Sequence, residues 1–317
     1  MDAFKAAVGP GGMVIAVDAD PNAPALQSAD KYAMSPRFHE PEFWRFIEDL
    51  VVRERIGLVI PLNDYELEGW ATRREVFARR GITVAVSDLE VVQVSLDKWA
   101  TFCLLREAGL PVPITCLGYD EALDALELGT MTFPVVVKPR WGSGSVNLGV
   151  ANSRSELNWM VQRADSTCVS RERVDGSRVL VQEFIKGIEW GVDLVHDFSG
   201  SFVTVWTKRK LAMRAGETDR ACTKQSDSHR ELARRVGEVL RPRGITDLDL
   251  IDGMNGSVVI DVNPRFGGGY PFSHLAGADL PSAMVAWASG ATPDPFLLEI
   301  QENVIGAKTQ QLVMVGS

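Results

Sequence analysis

Apolar residues recur at two different spacings in this chain, and the two spacings alternate along its first third. Phe43, Phe46, Ile47 and Leu50 share one helical face, which predicts an amphipathic helix over residues 42–55. Residues 2–8 read as a helix stopped by Gly9-Pro10-Gly11-Gly12, and residues 66–80 as a further helix. Short apolar runs at 13–17, 58–61 and 82–86 read as strands. Such alternation implies parallel strands joined by crossovers, a small Rossmann-like sheet within residues 1–94. Because the chain opens in a helix, this unit is expected to lack a first strand.

After Leu96 the pattern changes. Leu96, Trp99 and Cys103 line a helix that stops at Ala108-Gly109, with Pro111 and Pro113 just beyond. Residues 133–138, 179–183, 190–197 and 202–207 read as strands, the last two as an antiparallel pair joined through Asp197-Phe198-Ser199-Gly200. Helices are expected at 153–163 and 229–240, the second turning Leu232, Val236 and Val239 inward. Residues 245–251 and 258–262 form a hairpin around Gly253-Met254-Asn255-Gly256, and residues 304–315 a short closing strand. There is no repeat, low-complexity tract or flexible linker.

Length and composition add limits. At 317 residues, 45% of them hydrophobic, the chain can build two or three units with real cores. It has no apolar run of the roughly 20 residues that cross a bilayer, and no basic-then-apolar leader. The four cysteines and four histidines form no close cluster, which argues against zinc or a disulfide framework and fits a reducing cytoplasm. A net charge of −9 makes nucleic acid an improbable partner. No membrane partner is expected either, and a homodimer is compatible with the sequence.

The chemistry concentrates in a few places. In Val258-Val259-Ile260-Asp261-Val262-Asn263-Pro264-Arg265 a strand carries Asp261 and Asn263 two residues apart, hence on one face. An Asp plus Asn pair suits a hard cation such as Mg²⁺, and Arg265 at the strand exit can neutralise phosphate or acyl phosphate. The competing reading is a strand end with solvated polar residues. Asp249 lies across the hairpin, and a five-residue loop would set it opposite Asp261. Facing carboxylates repel unless a cation lies between them. Asp247 and Asp252 are alternatives in another register. Lys138 closes the apolar run Val135-Val136-Val137. Either it meets an anion or it snorkels from an edge strand. The Gly/Ser loop that follows, including Gly142, Ser143, Gly144 and Ser145, exposes amides that suit phosphate oxygens. Glu183 sits where a strand leaves its sheet, with Phe184 and Ile185 beyond, and Glu189 lies six residues on. This strand end can read an adenine edge, and Glu189 can accept from ribose hydroxyls. Surface glutamates around a turn are the plainer reading. Lys208-Arg209-Lys210 and Arg214 form a basic stretch after a strand, either a solvated turn or a clamp for a carboxylate or phosphate. Asn63 and Glu66 are further candidates for a substrate pocket.

In this order, the pieces resemble the ATP-grasp superfamily, nearest the branch of carbamoyl-phosphate synthetase large chains and stand-alone amino-acid ligases. The carriers are Asp97-Lys98, Val135-Val136-Val137-Lys138-Pro139, the Gly/Ser loop, Val181-Gln182-Glu183-Phe184-Ile185 and the Asp261-Val262-Asn263-Pro264-Arg265 strand. The resemblance implies an α/β (α+β) fold with an N-terminal pre-ATP-grasp unit, residues 1–94, and an ATP-grasp body, residues 95–317. The body would split into a lid, about 114–184, and a metal-binding lobe, about 185–317. It further implies that Lys98, Lys138 and the 142–149 loop hold the phosphates of ATP. Glu183, Phe184 and Ile185 would hold adenine, and Glu189 ribose. Asp249, Asp261 and Asn263 would bind Mg²⁺ or Mn²⁺, and Arg265 would stabilise the acyl phosphate. The implied reaction joins a small carboxylate to an amine or thiol. The alternatives are an ATP-binding protein without ligase activity and an ATP-dependent carboxylase. Two features depart from the family: Asp261 stands where Glu is usual, and the opening strand and glycine-rich turn are missing. One ATP-grasp unit alone argues against carbamoyl-phosphate synthesis itself.

Overall fold

A computed structural model describes residues 1–142, 144, 146–167, 176–310 and 312–315. The chain opens in helix α1 (Asp2–Val8) and alternates through β1 (Ile15–Asp18), α2 (Pro24–Ser28), β2 (Lys31–Met34), α3 (Phe43–Arg53), β3 (Leu58–Val59), α4 (Leu67–Ala78) and β4 (Thr83–Val84). The pairings are parallel, as the alternation predicts, but β1–β2 and β3–β4 form two separate pairs. Helix α3 buries Phe43, Ile47, Leu50 and Val51. Most of this face packs with Leu67, Trp70, Phe77 and Val84. Each such side chain contributes roughly 1.5–3 kcal/mol by leaving water. Two helices follow, α5 (Leu89–Leu96) and α6 (Lys98–Glu107). Asp97 separates them in extended conformation and caps α6 by accepting from the Trp99 and Ala100 amides at 3.0 and 3.3 Å.

A four-stranded antiparallel sheet comes next, built from β5 (Thr115–Leu117), β6 (Val135–Pro139), β7 (Gly149–Ala151) and β8 (Val179–Glu183). Helices α7 (Gly118–Glu127) and α8 (Arg154–Thr167) cover it, around Val135, Val137, Leu157, Val179 and Val181. The C-terminal part holds a six-stranded antiparallel sheet of β9 (Ile188–His196), β10 (Phe202–Arg214), β11 (Glu217–Thr223), β12 (Ile245–Gly253), β13 (Gly256–Asn263) and β14 (Ile305–Ala307). Their order is β13-β12-β9-β10-β11-β14. Helix α9 (Asp227–Leu240) covers one face, and α10 (Tyr270–Leu275) and α11 (Leu280–Ala288) pack around Trp206 near the other. No helix among the described residues is long and apolar enough to cross a membrane.

The period-2 alternation of β9, β12 and β13 divides this sheet into two chemistries. Trp190, Val192, Leu194, Leu248, Leu250, Val259 and Val262 pack against Leu232, Val236 and Leu240 of α9. The intervening Glu189, Gly191, Asp193, Asp247, Asp249, Asp261 and Asn263 point to the other face. Three further sequence expectations need correction. The basic stretch at 208–210 does not follow a strand but lies inside β10, so Lys208 and Lys210 join the polar face and Arg209 the opposite one. The β12–β13 hairpin turns at Met254-Asn255, with Gly253 paired to Gly256, rather than through five residues. Among the described residues of the expected closing strand at 304–315, Ile305–Ala307 form a strand.

Candidate active site

Asp249 and Asp261 are direct cross-strand partners, and Asp247 pairs with Asn263 beside them. The short turn alone would set Asp249 opposite Ile260. A β-bulge absorbs Ile260, because Leu250 pairs with Val259 while Asp249 pairs with Asp261. The bulge also leaves the Ile260 carbonyl turned out of the ladder, where it accepts from Lys138 Nζ at 3.0 Å.

Lys138 therefore reaches from the four-stranded sheet into the six-stranded one. It is buried, 6% exposed, with Nζ 4.6 Å from the centroid of Phe102. Snorkelling to water is ruled out. Burial is the main reason that its pKa falls from 10.5 to about 8; Asp261 opposes this fall and Lys98 adds to it. Lys98 stands at the first turn of α6, donating to the Gly142 carbonyl at 2.6 Å and lying 3.9 Å from Asp261. Asp97, which caps the same helix, holds Arg140 bidentately at 2.7 and 2.6 Å. Helix α6, the end of β6 and strand β13 are thereby joined through charged groups.

Lys210 lies 2.6 Å from Asp249 and 3.9 Å from Glu189. Burial works against its charge, but Asp249 outweighs it and raises the pKa. Next to it, Lys208 and Asp193 form a buried ion pair at 2.6 Å, with side chains 1% and 0% exposed, and Ser273 donates to Asp193 at 2.5 Å. Gly191 makes this arrangement feasible. A Cβ there would lie 3.3 Å from Lys208 Cε and 3.6 Å from Lys210 Cε, so both lysine stems cross the strand over a missing side chain. Asp247 has its pKa raised, by burial first and then by Asp249 and Asp193. Burial also pushes Asp261 upward, but Lys98 and Lys138 hold it below the usual value.

Two carboxylates and one amide make an oxygen-only donor set. Among the described residues no group of three or more His, Cys, Asp and Glu side chains could hold a metal. By its chemistry an Asp, Asp and Asn set could hold a hard cation only if waters and substrate oxygens completed the shell, as they do for Mg²⁺. The Lys210 and Lys98 ammoniums supply the positive charge the facing pair requires.

Arg265 leaves the strand as expected and meets a partner the sequence did not disclose. Its guanidinium grips Asp64 bidentately at 2.6 and 2.9 Å, 201 residues away. Burial disfavours its charge, and Asp64 more than compensates, so its pKa is raised. Asp64, Tyr65, Lys98, Trp141 and Asn263 line one cleft. The other candidates divide. The Glu183 carboxylate accepts from the Ile114 amide at 3.2 Å, fastening β8 beside the entry to β5. Phe184 is 41% exposed and Ile185 half-buried, packed near Gly253. Ser143 and Ser145 lie outside the described residues; Gly144 is in a turn with φ 68°. Glu66 accepts from Trp70 Nε1 at 3.4 Å, and its burial raises its pKa. Arg209 is exposed on the wrong face of β10 for a substrate clamp. Arg214, half-exposed at the end of the β10–β11 hairpin, pairs with Asp219 at 2.5 Å. The set missed by sequence is Asp64, Asp193 and Arg140, while Asp247 enters there only as an alternative in another register. For Asp193 the alternation of β9 was an available signal; the pairing of Asp64 with Arg265 had none.

Comparison with known proteins gives the family and the fold. The ATP-grasp domain family matches residues 95–269, and the PylC-like N-terminal domain family matches residues 1–85. The arginine-specific carbamoyl phosphate synthase large chain of Bacillus subtilis is 20% identical over 252 residues, 77% of this chain and 24% of that one. The carbamoyl phosphate synthase large chain of Xylella fastidiosa is 25% identical over 97% of this chain and 29% of its own length. The chain thus spans only about a quarter of these relatives. Among solved structures, biotin carboxylase of Campylobacter jejuni superposes with a TM-score of 0.75 at 18% identity, covering 96% of this chain and 71% of that one. N5-carboxyaminoimidazole ribonucleotide synthetase of Thermotoga maritima gives 0.63 at 18% identity, covering 95% and 74%. The protein belongs to the ATP-grasp family, on the side of the carbamoyl phosphate synthase large chains, with a PylC-like N-terminal domain.

Proposed function

We propose that the protein is an ATP- and Mg²⁺-dependent, ADP-forming ligase that joins a small carboxylic or amino acid to an amine, or to a thiol. The observation that carries the reading is the convergence of Lys138, Lys98 and Lys210 on the Asp249–Asp261 pair, from three different elements. Several cations around two carboxylates and an amide match a metal nucleotide, whose phosphates need positive charge and whose metal needs oxygen. In this assignment Asp249, Asp261 and Asn263 hold Mg²⁺, which would neutralise charge on the phosphates. Lys138 and Lys98 contact those phosphates, and Lys138 gives up the Ile260 carbonyl to do so. Residues 142–149 lie over the triphosphate, Glu183–Ile185 beside adenine and Glu189 beside ribose. The body, 95–317, supplies these groups, and the unit at 1–94 faces them through Asp64.

A substrate carboxylate oxygen attacks the γ-phosphorus, the bond to the bridging oxygen breaks and ADP leaves. The amine nitrogen then attacks the acyl carbon, loses a proton, and inorganic phosphate departs. The chain's task is positioning and charge neutralisation, with Arg265 directed at the acyl phosphate. Neither step needs a protein nucleophile.

The test is ADP release with a panel of amino and hydroxy acids, with and without amines. Stimulation by a carboxylate supports the ligase; no stimulation by any carboxylate overturns it. The similarity to biotin carboxylase favours a second reading. Bicarbonate-dependent ADP release in the same panel would select it.

A further inference from the structure

A groove of about 590 Å³ lies away from the acidic pair, between the β9–β10 hairpin and the C-terminal end of α9. Arg234, Arg241 and Arg243 line it, together with His196 and Phe202. These arginines belong to a run of five, at 230, 234, 235, 241 and 243, in a chain of net charge −9. They are not equivalent. Arg234 is held by Glu231 and Glu238, and Arg243 donates to the Phe198 carbonyl at 2.6 Å and lies 3.4 Å from Asp88. The Arg241 guanidinium pairs with none of the described residues.

Two residues in the wall of this groove are poor choices for the helix they occupy. Arg241 ends α9 with φ 53° and ψ 54°, the left-handed conformation that glycine ordinarily supplies at this position. Gly237 sits inside α9, where alanine would favour the helix by roughly 1 kcal/mol. A Cβ at Gly237 would meet His196 Cε1 at 2.8 Å, so the glycine is what seats the ring. His196 is 4% exposed, its Nδ1 lacks a hydrogen-bond partner, and its ring meets Phe202 edge-on at 5.8 Å. Gly237 is accounted for by the close packing of α9 on His196, whereas the left-handed Arg241 breaks a local rule with no side-chain partner among the described residues to offset it, and such positions mark places where the chain serves something other than its own stability.

We propose that this groove is a second binding site, separate from the nucleotide cleft, for a small organic dianion, a phosphate monoester or a dicarboxylate. Arg241 is its principal donor, Arg243 the second, and His196 and Phe202 contact the carbon skeleton. Glu238 and Asp88 also line it, and although each carboxylate repels an anion it accepts from hydroxyls, so a dianion that carries hydroxyl groups fits best. Arg241 is exposed, lines the groove and holds its left-handed backbone at a cost in stability.

Binding of glycerol 3-phosphate and of malate is measured by calorimetry on the full chain without nucleotide, for wild type, Arg241→Gly and Lys138→Ala. Either probe binding to wild type, at least about tenfold weaker to Arg241→Gly and unchanged in Lys138→Ala, is the expected result. The same Arg241→Gly variant should melt at the same or a higher temperature, because glycine relieves the backbone. If Arg241→Gly fails to fold, Arg241→Asn, which tolerates the same backbone, replaces it. No binding of either probe, or binding lost in Lys138→Ala but kept in Arg241→Gly, overturns the proposal. Because ADP release is not the readout, failure of the ligase reading leaves this result intact.

Discussion

Replacing Lys138 by methionine should separate stability from nucleotide binding. The ammonium is buried at 6% exposure, and burial lowers its pKa from 10.5 to about 8. At 1.36 kcal/mol per pKa unit the charged form costs the fold roughly 3 kcal/mol. Below about pH 8 both folded and unfolded chains carry the proton, and that cost is present in full. From about pH 8 to 10.5 the unfolded chain still binds the proton and the folded chain has shed it, so stability rises with pH. Methionine keeps the stem but removes the charge that sits over the Phe102 ring and the hydrogen bond to the Ile260 carbonyl. Losing that bond costs roughly 1–3 kcal/mol if the carbonyl stays dry. At pH 7 the variant is therefore expected to be as stable as wild type, or about 1–2 kcal/mol more stable. Urea melts of both proteins in metal-free buffer between pH 7 and 10.5 give the difference directly, and groups common to both cancel. Wild type should gain about 3 kcal/mol on the variant over that range. A difference that stays flat with pH would refute the claim that the fold confines a charge here. The same variant should bind ATP at least about tenfold more weakly, as loss of a charge-assisted contact requires. Unchanged ATP affinity would remove Lys138 from the phosphate site.

Arg265→Ala should leave ATP affinity within about twofold, as measured by nucleotide titration, and abolish carboxylate-stimulated ADP release; retained turnover removes its assigned role. Asp249→Asn should raise the Mg²⁺ concentration needed for half-maximal turnover, and an unchanged Mg²⁺ dependence would exclude it as a ligand. Lys208→Met strands the buried Asp193 carboxylate and should cost about 3–5 kcal/mol in urea unfolding. Lys210→Met, whose partner Asp249 is 25% exposed, should cost distinctly less. Equal losses would mean that the two lysines are not divided by burial as described.

Local pattern carried the elements, and only some of their meetings. The β12–β13 hairpin is legible because both strands are apolar on one face, and the acidic pair was expected from it. The partners are the right ones, reached by a shorter turn and a bulge that no local pattern marks. The burial of Lys138 follows from the valines before it. The sequence places Lys208 and Lys210 after a strand, as a solvated turn or as a clamp for a carboxylate or phosphate, because a basic run is ordinarily exposed. What overrides that reading is Asp193 across the strand and the gap at Gly191, both tertiary facts. Strands β2 and β11 went unseen because 31–34 and 217–223 carry little apolar periodicity; each is held by its neighbour. The Asp64–Arg265 clamp joins residues 201 positions apart, and neither side names the other.

The bulge at Ile260 works as a parity correction. A hairpin with a tight turn pairs residues whose numbers have one fixed sum, and that sum would face Asp249 with an isoleucine. One unmatched residue shifts the count by one, so an acid meets an acid past the bulge while the apolar ladder nearer the turn keeps its own count. Turn length and site register are thereby decoupled. A residue inserted at Met254-Asn255 could in principle be offset by deleting Ile260, with both aspartates still facing each other. Such a double change would repair the carboxylate pair and still take away the carbonyl on which Lys138 rests.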